Sequence, residues 1–208
     1  MFRIAAPILE TAGPSELGLI AALQAGDDTA LNCIITRWEQ PLFAFAWRYL
    51  HNRADAQDVV AETFVRLYQK RLGLRANTKL PAWLFTTLSN LCHNQYRWRR
   101  RHATLSMDAD DEERPALEPG ISSEPTAAVR LEQDEALQEL LAAVDELPHD
   151  LKTVVLLHYF ERLSYRDIGA VTGCSERGIE TRLYRARQRL RARLQSVPEV
   201  SRHIRGAS

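Results

Sequence analysis

The sequence predicts an all-α protein with two small helical domains joined by a flexible acidic linker. Apolar residues recur every three or four positions through most of the chain, which is the spacing of one helix face. The alternation typical of strands is absent from the sequence. The helical periodicity stops between about residues 103 and 127, where acids, prolines and serines leave too little apolar surface for a core.

These observations give the expected organisation in chain order. We expect a loose N-terminal tail (1–17), a first helical domain (18–102), the acidic linker (103–128), a second helical domain (129–195) and a short tail (196–208). Hydrophobic residues make up 45% of the chain, so both domains have enough apolar side chains for a core.

The first domain contains three predicted helices. One runs over about residues 29–50, where Pro41 is expected to kink or interrupt it. The next covers about residues 55–72, and the last begins near Pro81, a residue favoured in a first helical turn, and continues into a cluster of arginines. The apolar stripe of the middle helix consists of Val59, Val60, Phe64, Leu67 and Tyr68.

Charge is segregated along the chain, although the formal net charge is zero. Four of the seven residues 96–102 are arginines, whereas residues 107–125 contain seven acids and one arginine. From Arg177 onward there are nine arginines and two acids. The neutral average therefore does not exclude a nucleic-acid partner, because two basic segments flank one acidic segment.

Cysteine usage and hydropathy indicate the compartment. The three cysteines are far apart and form no CxxC pair, which fits a reducing environment. No apolar run approaches the ~20 residues that span a bilayer, and the N-terminus is not a convincing signal peptide. We therefore expect a soluble cytoplasmic protein without membrane insertion. The six histidines are scattered without metal-ligand spacing, so we expect no metal, cofactor or catalytic residue.

Residues 163–183 have the pattern of a helix-turn-helix that binds double-stranded DNA. Ser164 with Asp167 marks a helix start. Gly173 occupies the sharp turn, where a positive φ favours glycine, and Ser175 caps the second helix. Helical spacing places Ile168, Val171, Ile179, Leu183, Ala186 and Leu190 on the buried face. The residues expected to reach DNA are Ser175, Glu176, Arg177, Glu180, Thr181, Arg182 and Arg185. An ordinary helical hairpin with a solvated basic face is the alternative.

Two surfaces of the first domain are candidates for binding. Asp55, Asp58, Glu62 and Arg66 share one stripe of the middle helix, which fits a solvated face or a docking surface. In the last helix, aromatic and amide side chains give way to arginines over residues 83–101. That mixture suits unpaired DNA, whose bases stack on aromatic rings while arginines follow the backbone. Alternatively, Trp83 is a core residue and the arginines form a charged helix end.

Three of these motifs, in this order, resemble the bacterial sigma factors of RNA polymerase. Residues 54–68, ADAQDVVAETFVRLY, are similar to their polymerase-docking segment. Pro81-Ala82-Trp83-Leu84, with Asn90 and the arginines that follow, resembles their promoter-melting segment. Leu147-Pro148, residues 164–172 and residues 184–187 resemble their C-terminal DNA-reading domain. The resemblance covers about residues 28–194, and the single acidic linker is typical of the short extracytoplasmic-function class.

The resemblance implies a function and its partners. The chain is expected to bind core RNA polymerase, recognise two promoter elements and assist promoter opening, without catalysing a reaction. Asp55, Asp58, Glu62 and Arg66 would dock on the clamp helices of the largest subunit, while the flap region would hold the second domain. The acidic linker would lie toward the active-site cleft. An anti-sigma factor is a further expected partner.

The resemblance also assigns DNA contacts. The loop at residues 73–79 and Asn90 would hold a flipped base of the minus-ten element. The predicted contacts to this element and the melted strand are Asn77, Lys79, Asn90, Arg97, Arg99, Arg100 and Arg101. The helix from Glu176 would read the minus-thirty-five element. Three positions depart from the common pattern: Ala61 replaces a frequent Gln, Asn94 a usual Asp, and Gly178 a β-branched or small residue.

Two other classes of function are alternatives. A conventional helix-turn-helix regulator, acting without polymerase, is the main alternative, although such proteins usually read half-sites as dimers and no dimerisation heptads occur. An enzyme such as a nuclease is the other. The acidic run at residues 110–113 could chelate a cation weakly, but it lies within the predicted linker.

Overall fold

The computed structural model describes residues 16–75, 77–102 and 139–195 of the chain. Within these ranges the regular structure is helical and no strand occurs. The predicted acidic linker, residues 129–138, the C-terminal tail and nearly all of the N-terminal tail lie outside the described residues.

The first domain is built from four helices. They are α1 (Glu16–Gln24), α2 (Asp28–Leu50), α3 (Arg53–Lys70) and α4 (Leu80–His102), with a 3₁₀ turn at Arg71–Gly73 after α3. Side-chain caps fix two of the helix starts: the carboxylate of Asp27 accepts from the backbone N–H of Thr29, and the Asn52 amide oxygen accepts from that of Asp55. Helix α1 was not among the predicted helices.

Helix α2 continues through Pro41, so the predicted interruption does not occur. A proline removes one backbone donor from the helix. The buried side chains on both sides of it, Trp38 and Leu42, hold the helix against its neighbours. Trp38 and Phe45 both meet Phe85 of α4 edge to face, with ring centroids 6.4 and 5.7 Å apart.

The second domain contains the remaining described helices. Residues 139–145 form α5, and they are followed by α6 (His149–Val155), α7 (Tyr165–Thr172) and α8 (Glu176–Gln195). A π-helical turn at Leu156–Phe160 ends α6, with the N–H of Glu161 donating to the carbonyl of Leu156. The buried side chains of both domains form one continuous hydrophobic cluster.

A helix that crosses a bilayer needs about 20 predominantly apolar residues. Within the parts of the chain that the structure describes, no helix combines that length with that apolar character.

Candidate nucleic-acid and protein interfaces

The charged stripe of α3 is divided between surface and interior. Asp58 is exposed, and Glu62 pairs with Arg66 at 2.7 Å while both side chains remain partly exposed. Asp55 instead faces α4. Its carboxylate accepts from the Gln95 amide at 2.9 Å and pairs with Arg99 at 3.0 Å. Three of the four predicted docking residues are thus at least partly exposed on the outer side of α3, and Asp55 contributes to helix packing.

A groove of about 920 Å³ lies between α2 and α3. Val65 and Tyr68, one helical turn apart, line it and are 46% and 37% exposed. The sequence pattern places Tyr68 in the apolar stripe of α3 but leaves Val65 outside it. Exposed apolar side chains beside a charged stripe are typical of a protein contact surface. The sequence contained an indication of this apolar surface, because Val65 is an apolar residue outside the buried stripe of an amphipathic helix.

A second groove, of about 530 Å³, lies between α3 and α4. Asp58 and Glu62 lie on its α3 side, and Arg97 and Arg101 on its α4 side. Asn94 lines the same groove, so the position that departs from the common pattern is at this surface. Predicted docking residues and predicted DNA contacts therefore adjoin each other.

The loop between α3 and α4 is anchored by α1. The Gln24 amide donates to the carbonyls of Arg71 and Leu74 at 2.9 and 2.8 Å. Farther along, Thr78 closes a turn through two hydrogen bonds with the backbone of Arg75. The predicted contact residues of this loop, Asn77 and Lys79, are exposed. Gln24 was not recognised from the sequence, because its partners are backbone carbonyls about fifty positions away.

The arginines at the end of α4 do not share one face. At 100° per residue, Arg97, Arg100 and Arg101 fall within an arc of about 100°, whereas Arg99 lies on the opposite side. Arg97 and Arg101 continue the line of Asn90, and all three side chains are exposed. Arg99 pairs with Asp55, so it is the least available of the four for a nucleic acid.

The helix-turn-helix has the geometry that the sequence predicted. The Ser164 hydroxyl accepts from the Asp167 N–H at 3.2 Å and begins α7. Gly173 ends α7 with φ 70°, and the Ser175 hydroxyl accepts from the Gly178 N–H at 3.2 Å at the start of α8. The predicted apolar face is buried at Ile168, Val171, Ile179, Leu183 and Ala186, with Leu190 partly buried.

The first turns of α8 present polar side chains to solvent. Of the residues predicted to reach DNA, Ser175, Glu176, Arg177, Glu180, Thr181 and Arg185 are exposed. Arg182 is half-buried and lies 3.8 Å from the carboxylate of Asp150 at the start of α6. This mixture of arginine, glutamate and hydroxyl groups can contact base edges in a major groove.

Comparisons with known proteins agree with this geometry. Sigma-70 region 2 matches residues 34–102, and sigma-70 region 4 matches residues 137–190. The extracytoplasmic-function sigma factor EcfG of Rhodopseudomonas palustris is 37% identical over 153 residues, which cover 74% of this chain and 78% of that protein. The chain belongs to the extracytoplasmic-function class of sigma-70 factors.

Other sigma factors of this family resemble the chain over most of its length. The RNA polymerase sigma-H factor of Pseudomonas aeruginosa is 27% identical over 180 residues, or 86% of this chain and 93% of that protein. The crystallised sigma factor RpoE of Bartonella quintana, in complex with the anti-sigma factor NepR, is 26% identical. It aligns with a TM-score of 0.57 over 79% of this chain and 96% of that one.

Family membership gives the two domains their names. Helices α3 and α4 and most of α2 lie within the region 2 match, and α5 to α7 with most of α8 lie within the region 4 match. We use the name region 2 domain for the helices up to α4 and the name region 4 domain for α5 to α8. The α3 face and the grooves beside it therefore belong to region 2 of this sigma factor, and the α8 face belongs to region 4.

Proposed function

We propose that the chain binds core RNA polymerase and directs initiation at promoters that carry its own pair of minus-ten and minus-thirty-five elements. One observation carries the proposal. The same chain presents an exposed α3 face with both charged and apolar side chains, and a helix-turn-helix whose first-turn polar residues are open to solvent. The proposed domain limits are 18–102 and 129–195, joined by the acidic segment 103–128.

The polymerase contact is assigned to the outer face of α3. Asp58, Glu62 and Arg66 supply charges for complementary pairs, and Val65 with Tyr68 supplies apolar area beside them. Partly apolar contact with a charged rim is the usual composition of a protein interface. The partner is the pair of clamp helices in the largest subunit, and the region 4 domain contacts the flap region.

The minus-ten element is assigned to the loop before α4 and to one face of that helix. Asn77, Lys79 and Asn90 provide amide and ammonium groups for an extruded base. Arg97, Arg100 and Arg101 follow the backbone of the promoter. Arg99 orders α4 against Asp55 and in this way supports the face formed by its neighbours.

The minus-thirty-five element is assigned to the exposed face of α8. Arg177 and Arg185 suit guanine edges or phosphates, and Glu180 can accept from cytosine. The protein acts as a non-catalytic factor in the cytoplasm. It is regulated by an anti-sigma factor, as the complex of the Bartonella relative with NepR suggests.

A core-binding assay with surface variants tests the polymerase contact. Replacing both Asp58 and Glu62 by lysine reverses the charge of the α3 face, and we expect at least tenfold weaker binding to bacterial core polymerase. Asp28→Lys is the matched control, because Asp28 is exposed on α2 and lines neither groove. Undiminished binding of the double variant would refute the docking assignment.

A further inference from the structure

The groove between α3 and α4 places opposite charges on its two walls. Asp58 and Glu62 lie on the α3 wall, and Arg97 and Arg101 lie on the α4 wall. Within the residues that the structure describes, no ion pair crosses the groove, and Glu62 pairs with Arg66 of its own helix. A molecule in this volume of about 530 Å³ can therefore offer hydrogen-bond donors to one wall and negative charge to the other.

Trp98 adds a flat aromatic surface to the α4 wall. This residue is 51% exposed, whereas Trp38 is buried and Trp47 is partly buried. The indole stacks on the His102 ring at 4.6 Å between centroids, and Nδ1 of His102 lies 2.7 Å from the Trp98 carbonyl oxygen. These contacts hold the indole in one orientation and leave its exposed part available to a further stacking partner.

The side chains of the groove match the parts of a nucleotide. An aromatic ring stacks on a nucleobase, and arginine guanidinium groups bind phosphate. The carboxylates of Asp58 and Glu62 can accept from an exocyclic amino group, as carboxylates do from that of cytosine. Asn94, one turn before Trp98, adds an amide that can both donate and accept. Thymine has no exocyclic amino group, so the groove favours the other bases.

A protein side chain suits the groove less well than a nucleotide does. A basic side chain that pairs with the carboxylates meets Arg97 and Arg101 on the other wall, and an acidic side chain meets Asp58 and Glu62. A nucleotide carries amino donors on its base and negative charge on its phosphate, so it complements both walls. In a duplex the neighbouring base pairs cover the faces of each base, so the base that stacks on Trp98 is an unpaired one.

The groove adjoins the face of α4 to which the minus-ten element is assigned. Trp98 comes eight residues after Asn90, which places it about 12 Å farther along the helix axis at about 1.5 Å per residue. At about 3.4 Å per stacked nucleotide, this length corresponds to roughly four nucleotides. The strand whose flipped base lies at Asn90 can therefore also reach the groove.

We propose that the groove between α3 and α4 is a second nucleotide site, in which an unpaired base with an exocyclic amino group stacks on Trp98 while its phosphates bind Arg97 and Arg101. The groove is lined by residues of α3 and α4 alone, so it is accessible in the free chain. In the polymerase complex its ligand is the unpaired promoter strand, and this assignment rests on the function proposed above. Asp58 and Glu62 then lie at the boundary between the polymerase contact and the DNA.

Binding of short single strands to the full chain tests the site without polymerase. We expect labelled oligodeoxycytidine to bind Trp98→Ala roughly five- to twentyfold more weakly than the wild type, because one base loses its stacking partner. Trp98→Phe keeps an aromatic ring and is expected to stay within about threefold of the wild type. Thr36→Ala, at an exposed position of α2 that lines neither groove, is the matched control. Fluorescence anisotropy measures the affinity, and circular dichroism verifies folding.

Oligothymidine tests recognition of the amino group. The wild type is expected to bind it at least about threefold more weakly than oligodeoxycytidine, and Trp98→Ala is expected to lose this difference. Equal binding of the two strands by the wild type would overturn recognition of the amino group. Undiminished binding by Trp98→Ala would overturn the stacking site, and an equal loss on duplex DNA would overturn its assignment to an unpaired base.

Fork-junction DNA with 2-aminopurine at successive unpaired positions extends the test to the holoenzyme. The fluorescence of this amino-bearing base falls when it stacks. Trp98→Ala is therefore expected to raise it at least about twofold at one position within roughly four nucleotides of the flipped base. The lack of such a position in a holoenzyme that opens promoters would overturn the promoter assignment of the site and leave the proposed function intact. A wild-type chain that forms no holoenzyme would instead overturn the proposed function, while the single-strand test still decides the site.

Discussion

A methyl group at Gly169 would lie 2.6 Å from the carbonyl oxygen of Cys174. Cys174 belongs to the turn between the two helices of the helix-turn-helix. The Cys174 N–H donates back to the Gly169 carbonyl at 3.1 Å, so the backbone of α7 and the turn are in direct contact. Glycine at this position therefore sets the angle at which α8 leaves α7.

Gly169→Ala is expected to destabilise the region 4 domain by about 1–3 kcal/mol, since the clash is with backbone that cannot move aside. Gly178→Ala is the control. Its added methyl would lie 3.4 Å from the Ser175 hydroxyl, an ordinary contact, and helix propensity favours alanine by up to about 1 kcal/mol. Urea unfolding followed by circular dichroism measures both. Equal effects of the two substitutions would contradict the assignment of Gly169 to a close approach.

Gln24→Leu is expected to reduce promoter opening three- to tenfold while core binding stays unchanged. Leucine has a similar size but cannot donate to the carbonyls of Arg71 and Leu74, so the loop that carries Asn77 and Lys79 loses its anchor. The reactivity of unpaired thymines in the polymerase–promoter complex measures opening. Asn32→Leu, at an exposed position of α2, is the control. A parallel loss of core binding would show that Gln24 acts on the whole domain rather than on the loop.

In the closed arrangement the region 2 and region 4 domains are in contact, and the Tyr49 hydroxyl lies 2.7 Å from Nδ1 of His149. This arrangement is expected to weaken in acid through His149. Burial, followed by the nearby His93, lowers the pKa of His149 to about 4 in the closed chain. The separated domain returns this pKa toward 6.5, so the open form binds more protons. Closure is therefore fully favoured above about pH 6.5 and is lost as the pH falls toward 4.

Several charged groups around His149 act on the same equilibrium. Lys152 and Arg182 oppose its protonation, and Asp150 favours it. Burial raises the pKa of Glu161 to about 7, which favours closure as the pH falls. A comparison with His149→Gln separates the histidine from this opposing group, because Glu161 is common to both proteins.

Small-angle X-ray scattering at pH 7.5 and pH 5 gives the measurement for His149. Between pH 7.5 and pH 5, the ratio of open to closed chain is expected to rise roughly three- to tenfold more for the wild type than for His149→Gln. This factor is smaller than the full pKa difference implies, because solvent screens the exposed part of the imidazole ring. The same pH response in both proteins would exclude His149 as the acid-sensitive group.

Helical periodicity was enough to predict the long helices, because each buries one face against its own domain. The caps at Ser164 and Ser175 and the glycine turn between them predicted the helix-turn-helix, since these signals are local. The nine residues of α1 were missed because the helix is short and its apolar residues occupy more than one face.

The domain contact could not be predicted in the same way. Lys152 reaches the Tyr49 carbonyl across 103 positions, and a lysine within an apolar stretch gives no sign of its partner. The contacts of Asp55 were also not predictable from the sequence, although its partners are closer along the chain. Its spacing placed it on the charged stripe, but Gln95 and Arg99 of α4 draw its carboxylate inward. Both cases depend on which helices become neighbours.

We propose that region 2 binds the polymerase and that region 4 reads the minus-thirty-five element. Substitutions in region 4 are therefore expected to affect promoter preference rather than core binding. Arg177→Ala and Arg185→Ala are expected to change which upstream sequences are used, because these exposed side chains lie on the face of α8 that we propose enters the major groove. Run-off transcription from a promoter library measures the preference, and a core-binding assay provides the control. A uniform loss at all promoters would show that these arginines contribute only to non-specific phosphate contact.

Transcript 5′-end sequencing with reconstituted holoenzyme tests the central claim most directly. On genomic DNA of the source organism, core polymerase with the purified chain is expected to start transcription at sites that share a minus-ten and a minus-thirty-five element. Core polymerase alone is not expected to start transcription at these sites. Starts that are the same with and without the chain, or that lack a shared pair of elements, would contradict its assignment as a promoter-specificity factor.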